Sequence, residues 1–206
     1  MPKLGMGPIR RQQICSAAAA VIAREGFAGS TMRMVADEAG VSTGMLNHYF
    51  ANRAALLTQA LVHVSERSQR RYERAIEGLP PGVERLGALL DSVLAEDAES
   101  IETWHVWINA TGEALRLPEL RRTIEERLGH WFALLDLALE GLVEDEDTPN
   151  AIPWTWRVDA LLTGLATQAL TSEAELHGER IRDEVVRMVL AGGGREPIAV
   201  RRQLAG

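Results

Sequence analysis

Apolar residues recur every three or four positions along most of the chain, whereas the alternating runs of β-branched residues that mark strands are nearly absent. The pattern is interrupted by glycine, proline and asparagine clusters and by the acidic stretch 144–150. These interruptions delimit about nine helical segments. The chain is therefore predicted to be all-α.

The helical segments group into a head, a body and a tail. Residues 1–57 are predicted to form an N-terminal head of three helices, the first of which has an apolar stripe from Ile14 to Ile22 and Gly26 as its C-terminal cap. Residues 58–194 are predicted to form a helical body. Residues 195–206 have no apolar period, and we expect a mobile tail there.

Charge is divided unequally between the two parts. The whole chain carries a net charge of −7, but residues 1–78 hold 10 Lys+Arg against 6 Asp+Glu, and residues 79–206 hold 12 against 23. A modestly basic head on an acidic body is typical of a DNA-binding protein, although a charge run is more often only a solvated face.

Other function classes find little support in the composition. No apolar run reaches the ~18 residues of a membrane span and no secretory signal is present, so we expect a cytoplasmic protein without membrane contact. Cys15 is the only cysteine and the five histidines are scattered, which argues against a metal site. We find no nucleophile and base pairing and no phosphate-binding loop, and we expect neither an enzyme nor a cofactor.

The segment 30–50 carries the most specific signal. Thr31 and Ser42 are suited to cap two short helices, and Gly40 is suited to the left-handed turn between them. Leu46 and Phe50 are four residues apart and are predicted to point inward, which leaves a small, polar outer face on the second helix. Such a helix fits the major groove of DNA, although two ordinary helices of a bundle would show the same spacing.

We expect the outer face to meet bases and its surroundings to meet phosphates, with Arg53 and the N-terminal amides of the following helix binding one phosphate. The predicted DNA-binding residues are Thr31, Arg33, Ser42, Thr43, Gly44, Asn47, His48, Tyr49 and Arg53.

The run from Thr31 to Leu57, with Ala39-Gly40-Val41-Ser42, Gly44, His48-Tyr49-Phe50, Arg53 and Leu56-Leu57, resembles the DNA-binding signature of the tetracycline-repressor (TetR) family. The opening residues Met1 to Gln13 resemble the choline-responsive BetI-type branch of that family. The resemblance implies a three-helix helix-turn-helix head, a helical ligand-binding and dimerisation body, a homodimer, and release from operator DNA when a small molecule binds. Tyrosine is common in the family where Asn47 stands, and lysine where Arg53 stands.

All five tryptophans lie in the acidic body. Tryptophans at helical spacing usually pack in a core, but some are expected to line an effector pocket together with nearby polar groups. The predicted ligand-binding residues are Trp104, Trp107, Asn109, Glu113 and Trp131. Aromatic faces beside carboxylates would suit a choline-like cation, and paired tryptophans would equally suit a neutral hydrophobic effector.

The last two helices carry broad apolar stripes, from Val158 to Leu170 and from Ile181 to Val189. By the resemblance they form the dimerisation unit, although packing within one chain would also explain the stripes. We therefore predict a ligand-responsive repressor. A TetR-like activator, or a helical adaptor protein without a DNA-binding role, remains the alternative.

Overall fold

The computed structural model describes residues 6–144, 151–172 and 177–192. The predicted tail, 195–206, lies outside this part of the chain. Over the described residues the backbone forms nine α-helices and no strand, which confirms the predicted all-α class. The helices are α1 (Met6–Gly29), α2 (Met32–Ala39), α3 (Thr43–Tyr49), α4 (Arg53–Ile76), α5 (Val83–Val93), α6 (Ala98–Ala114), α7 (Pro118–Leu139), α8 (Trp154–Thr171) and α9 (Gly178–Gly192).

The helices belong to two compact units. The first unit comprises Met1–Arg70 with Asp97–Gly129, and the second comprises Arg71–Glu96 with His130–Gly206. The first unit therefore contains the helix-turn-helix head together with α6 and most of α7. The boundary predicted after residue 57 marks the end of the DNA-binding motif, whereas the compact units are divided at other residues. The boundary after residue 57 stays a prediction.

The core of the first unit is built on the predicted stripe of α1. Ile14, Ala18 and Ile22 are fully buried, and they belong to one apolar cluster with Leu57 of α4 and Val106 of α6. Burying each large aliphatic side chain contributes roughly 1.5–3 kcal/mol, so this cluster accounts for much of the unit's cohesion. Because α6 supplies part of the core, the head does not pack as three isolated helices.

Helix α1 is broken at Gly26, where φ is 71° and ψ is 169°. The predicted cap at this residue coincides with the break, but the chain resumes a further helical turn as far as Gly29. This conformation is essentially restricted to glycine. The hydroxyl of Ser30 then donates to the Gly26 carbonyl at 2.6 Å and closes the turn that leads into α2.

In the second unit α9 packs against both α5 and α8. Val158, Leu162 and Ala166 of α8 and Val185 and Val189 of α9 are buried, so part of each predicted apolar stripe is used within this unit. Two glycines permit close packing at the ends of α9. A β-carbon at Gly178 would lie 2.6 Å from the Leu94 carbonyl oxygen, and one at Gly192 would lie 2.2 Å from the Trp154 ring.

Two further features bear on the function classes. Cys15 is buried, and burial raises the pKa of its thiol to about 11, which disfavours the reactive thiolate form at neutral pH. In the part of the chain that the structure describes, no helix is both long and apolar enough to cross a membrane.

Candidate functional site

The α2–turn–α3 segment forms a helix-turn-helix through its own local hydrogen bonds. The side-chain oxygen of Thr31 accepts from the Met34 amide and that of Ser42 accepts from the Met45 amide, both at 3.2 Å. Gly40 adopts the left-handed conformation, with φ 62° and ψ 37°, and its amide donates to the Asp37 carbonyl. The predicted caps and turn are thus present, and each cap satisfies an amide that the helix leaves unpaired.

Helix α3 presents a polar face to solvent. Leu46 is fully buried and Phe50 is 3% exposed, which orients the opposite side of the helix outward. The exposed side contains four residues predicted to bind DNA and one that was not: Thr43, Gly44, Asn47, His48 and Met45. Tyr49 is half-buried, and its ring meets the edge of the His48 ring at a centroid distance of 5.3 Å.

The outer face of α3 contains no acidic residue, and the adjoining helix α2 carries one exposed arginine. Arg33 of α2 is 88% exposed, and its only carboxylate contact in the described chain is a long pair with Asp37 at 3.9 Å. A pair this exposed is weak, so Arg33 is free to reach a phosphate. The face is therefore compatible with the predicted approach to the DNA backbone.

Among the described residues, no atom would clash with a β-carbon at Gly44. The nearest atom to a β-carbon built on it would be the Ser42 hydroxyl oxygen at 3.8 Å, an ordinary van der Waals contact. Its backbone is helical, so a positive φ does not require glycine there. Any steric reason for glycine at this position must therefore come from a molecule outside the described chain.

Arg53 is held inward, which the sequence did not predict. Its Nε donates to the Ser30 carbonyl, and its Nη2 donates to the carbonyls of Phe27 and Ala28. Its Nη1 has no acceptor among the described residues and remains able to bind a phosphate. The preceding Asn52 accepts the Ala55 amide at 2.9 Å and caps α4. Arg53 thus ties the start of α4 to the end of α1.

The five predicted ligand-binding residues are not brought together in one unit. Four of them lie on α6 in the first unit, and Trp131 lies in the second. Trp107 packs against the core of the head, and the Asn109 amide nitrogen donates to the His105 carbonyl at 2.9 Å. Trp104 is half-buried, and Glu113 is 3.9 Å from Arg116.

Trp131 belongs to an aromatic and acidic cluster in the second unit. Its indole Nε1 donates to Asp159 Oδ1 at 2.8 Å, and its ring meets the edge of the Tyr72 ring at 5.8 Å. Phe132 and Trp156, which neighbour this pair along α7 and α8, have ring centroids 5.3 Å apart. We call Tyr72, Trp131 and Asp159 the aromatic–acid cluster.

Asp159 has no cationic side chain within ion-pair distance among the described residues. Burial raises the pKa of its carboxyl above the ordinary value, and the hydrogen bonds from Trp131 and Thr163 oppose this only in part. A partly desolvated carboxylate that has no cationic partner and lies beside an aromatic ring attracts an organic cation. Asp159 and Tyr72 were not predicted from the sequence; the one available signal was an acidic residue adjoining the apolar stripe of α8.

The sequence matches known families over most of its length. Residues 14–60 match bacterial regulatory proteins of the tetR family, and residues 82–192 match the BetI-type transcriptional repressor C-terminal region. The HTH-type transcriptional regulator BetI of Vibrio vulnificus is 32% identical over 133 residues, which are 62% of this chain and 67% of that protein.

Two solved structures share the fold. A transcriptional regulator from Rhodococcus sp. Rha1 has a TM-score of 0.77 at 26% identity, covering 91% of this chain and 99% of its own. A regulator from Saccharomonospora viridis, crystallised in complex with choline, has a TM-score of 0.77 at 21% identity, covering 88% of this chain and 96% of its own. Because the regulator from Saccharomonospora viridis is only 21% identical to this chain, its similarity shows the shared fold alone.

Proposed function

The chain belongs to the TetR family of bacterial regulatory proteins, in its BetI-type branch, and from this premise we propose that α3 reads operator DNA and that an organic cation bound at the aromatic–acid cluster releases it. Membership in the family confirms the resemblance inferred from Thr31–Leu57 and from the opening residues. The protein is a ligand-responsive transcriptional regulator. The DNA-contacting residues, the effector and the dimer interface are proposals.

The exposed polar face of α3 is the observation that carries DNA binding. Thr43, Gly44, Asn47 and His48 are proposed to face base edges, since the N-terminal part of a recognition helix meets the bases in the major groove. Thr31, Arg33, Ser42, Tyr49 and Arg53 are proposed to position the DNA backbone. Ser42 and Thr31 keep a hydroxyl proton that can be donated to a phosphate while their oxygens cap the helices.

A homodimer is proposed to form through α8 and α9. Two heads on a two-fold axis read half-sites about one DNA turn apart, ~34–36 Å, or at multiples of that spacing. On α8 the outward positions Ala160 and Gly164 are small and exposed in the described chain, which would let a partner helix approach closely. These exposed positions lie beside the buried part of the apolar stripe.

The effector is proposed to be a quaternary ammonium compound such as choline. The aromatic–acid cluster supplies both contacts that such a cation uses, aromatic rings and a carboxylate, and each cation–aromatic contact contributes about 0.5–2 kcal/mol. The structurally similar regulator from Saccharomonospora viridis was crystallised with choline, which supports the same class of ligand here. A neutral hydrophobic effector is the alternative, which the paired tryptophans Trp104 and Trp107 would suit.

DNA binding is tested with a duplex that the protein selects from a random pool. Asn47→Ala should change the sequence preference and weaken the selected duplex by about 1–3 kcal/mol if Asn47 contacts a base. If the parent selects no duplex even at low salt, the adaptor alternative replaces the regulator. Transcription from a promoter that carries the selected sequence then distinguishes a repressor from an activator.

The effector is tested on the complex of the protein with its selected duplex. Choline, betaine aldehyde and 3,3-dimethyl-1-butanol, an uncharged isostere of choline, are titrated in a mobility-shift assay. Choline should dissociate the complex of the parent but not that of Asp159→Asn. Asp136→Asn is the matched control, because Asp136 is exposed on α7 in the same unit and loses the same charge. Equal release by the uncharged isostere would refute the cationic effector.

A ligand releases DNA only if it binds the two states of the protein with different affinity. Binding of choline to the free protein is therefore measured separately, by the rise in its thermal midpoint. A rise without dissociation of DNA would show a binding site that is not coupled to the head.

A further inference from the structure

Met45 is the one large apolar side chain that the helix-turn-helix leaves exposed, within a segment that the structure describes in full. It is 39% exposed, whereas Leu46 and Phe50, which follow it on α3, are buried. Met32 and Met34 of α2 are half-buried and pack against the core of the head. The fold therefore packs the other two methionines of this segment against the core of the head, whereas Met45 is not part of that core and keeps 39% of its surface open to solvent.

The position of Met45 on α3 is specific. At 100° per residue, Gly44 and His48 lie near the centre of the exposed face, Thr43 and Asn47 lie on one flank, and Met45 lies on the other. Its amide is bound by the Ser42 hydroxyl oxygen, so the residue stands in the first turn of the helix. The first turn is the part of a recognition helix that contacts base edges.

The chemistry of the major groove contains one apolar group. Guanine, cytosine and adenine present donors and acceptors there, while thymine also presents its 5-methyl group. Thr43, Asn47 and His48 can bind the donors and acceptors, but the thioether of Met45 matches only an apolar partner. A methionine side chain is also unbranched and flexible, which lets it adapt to such a small target.

We infer that Met45 is a specificity-determining residue that contacts the 5-methyl group of a thymine in each operator half-site. This rests on the proposed function, because it assumes that α3 enters the major groove. The contact excludes water from the methyl group of the base and from the end of the methionine side chain at once. It therefore favours thymine over cytosine at one position on each half-site.

The test removes the methyl group of the thymine and the thioether of Met45 in turn. The duplex selected by the parent from a random pool is resynthesised with uracil in place of thymine, one position at a time. At one thymine per half-site, uracil should weaken binding of the parent by about fourfold, the effect of one buried methyl group. With Met45→Ala the same substitution should have no further effect, because the contact is already lost.

Two further variants complete the test. Leu115→Ala is the matched control: Leu115 is 80% exposed in the same unit but lies outside the helix-turn-helix, so uracil should weaken its binding as it does for the parent. Met45→Gln keeps the length of the side chain with a polar end, and a new selection with it should lose the preference for thymine at that position. Neither substitution at Met45 should lower the thermal midpoint, since the side chain is exposed.

The inference is overturned if every uracil substitution has the same effect on Met45→Ala as on the parent, or if Met45→Gln selects the same sequence. Failure of the proposed function would give a different result from failure of this inference. If α3 does not bind DNA, the parent selects no duplex, and thymine and uracil cannot be compared.

Discussion

The side-chain oxygen of Asn109 lies 2.9 Å from the position that a β-carbon on Gly26 would occupy. Helix α6 thus approaches α1 at its break, one turn before Thr31 caps α2. Asn109 is one of the predicted ligand-binding residues; its amide nitrogen donates to the His105 carbonyl at 2.9 Å, and its amide oxygen faces the break in α1. Helix α6, which carries four of the five predicted effector residues, therefore packs against α1, the first helix of the DNA-binding head.

Gly26→Ala should destabilise the protein. Its φ of 71° with ψ of 169° costs a side-chain-bearing residue about 1–3 kcal/mol, and the clash with Asn109 adds to that. Urea unfolding measures the loss. Adding Asn109→Ala should recover the steric part and leave the backbone strain. Gly112→Ala, on α6 with open space around it, is the control and should be neutral or stabilising.

Arg53→Ala should lower both stability and DNA affinity. It leaves carbonyls of Phe27, Ala28 and Ser30 without a charged donor, at a cost of roughly 1–3 kcal/mol in urea unfolding. If Nη1 binds a phosphate, the slope of log affinity against log salt should fall by about one for each protomer. Arg53→Lys keeps the charge but not the fork of donors, so it should restore the slope and not the stability. An unchanged slope with Arg53→Ala would assign Arg53 to the fold alone.

Gly44→Ala should lower the affinity for operator DNA without lowering the stability of the protein. Alanine is the better helix former by up to about 1 kcal/mol, and the added β-carbon meets only the Ser42 hydroxyl at 3.8 Å, so the thermal midpoint should rise or stay level. Operator affinity in a mobility shift should fall, because the β-carbon lies where DNA is proposed to approach. The control, Gly112→Ala, should leave affinity intact. Full affinity with Gly44→Ala would place the DNA elsewhere.

Leu165→Arg should convert the proposed dimer into monomers. Leu165 is half-buried on α8, and burying an unpaired charge in an interface costs about 3–5 kcal/mol. Light scattering at micromolar concentration measures the mass. Leu115→Arg adds the same charge at an exposed site and should remain dimeric. A monomeric parent would rule out the proposed assembly.

Asp159→Asn should stabilise the protein at neutral pH. The pKa of Asp159 is raised above its unfolded value, so folding favours the protonated carboxyl, and the stability of the parent rises as pH falls through the folded-state pKa. The amide oxygen of asparagine can still accept from Trp131 without a buried charge. The advantage of Asp159→Asn in urea unfolding should therefore shrink as pH is lowered through that window. An advantage that does not change with pH would have a cause other than ionisation.

The same titration predicts the pH dependence of the effector. A cation is attracted by the ionised Asp159 but not by its protonated form, so binding of choline to the parent should weaken on acidification at a pH above the ordinary range for an aspartate. The thermal shift by choline, measured across pH, checks this. Asp159→Asn should show no such dependence.

The order of residues over short distances along the chain was sufficient to predict the helix-turn-helix. The caps Thr31 and Ser42 and the turn at Gly40 depend on partners within four residues. The spacing of Leu46 and Phe50 shows that they share one face of α3, and the apolar character of that face predicts that it points inward. The same periodicity predicted the all-α class and the buried stripe of α1. Met45 was not among the predicted DNA-binding residues, because an apolar residue beside an apolar stripe is assigned to the core until the fold shows that it is exposed.

Only the tertiary structure decided which distant residues meet. Arg53 reaches carbonyls 23 to 26 residues away, Trp131 donates to Asp159 across 28 residues, and Asn109 meets Gly26 from another helix. A helical period states which face of a helix is apolar, but not which helix covers that face or at what height along the axis. For that reason the sequence could group Trp104, Trp107, Asn109, Glu113 and Trp131 as one candidate set, but not assign four of them to the first unit and Trp131 to the second.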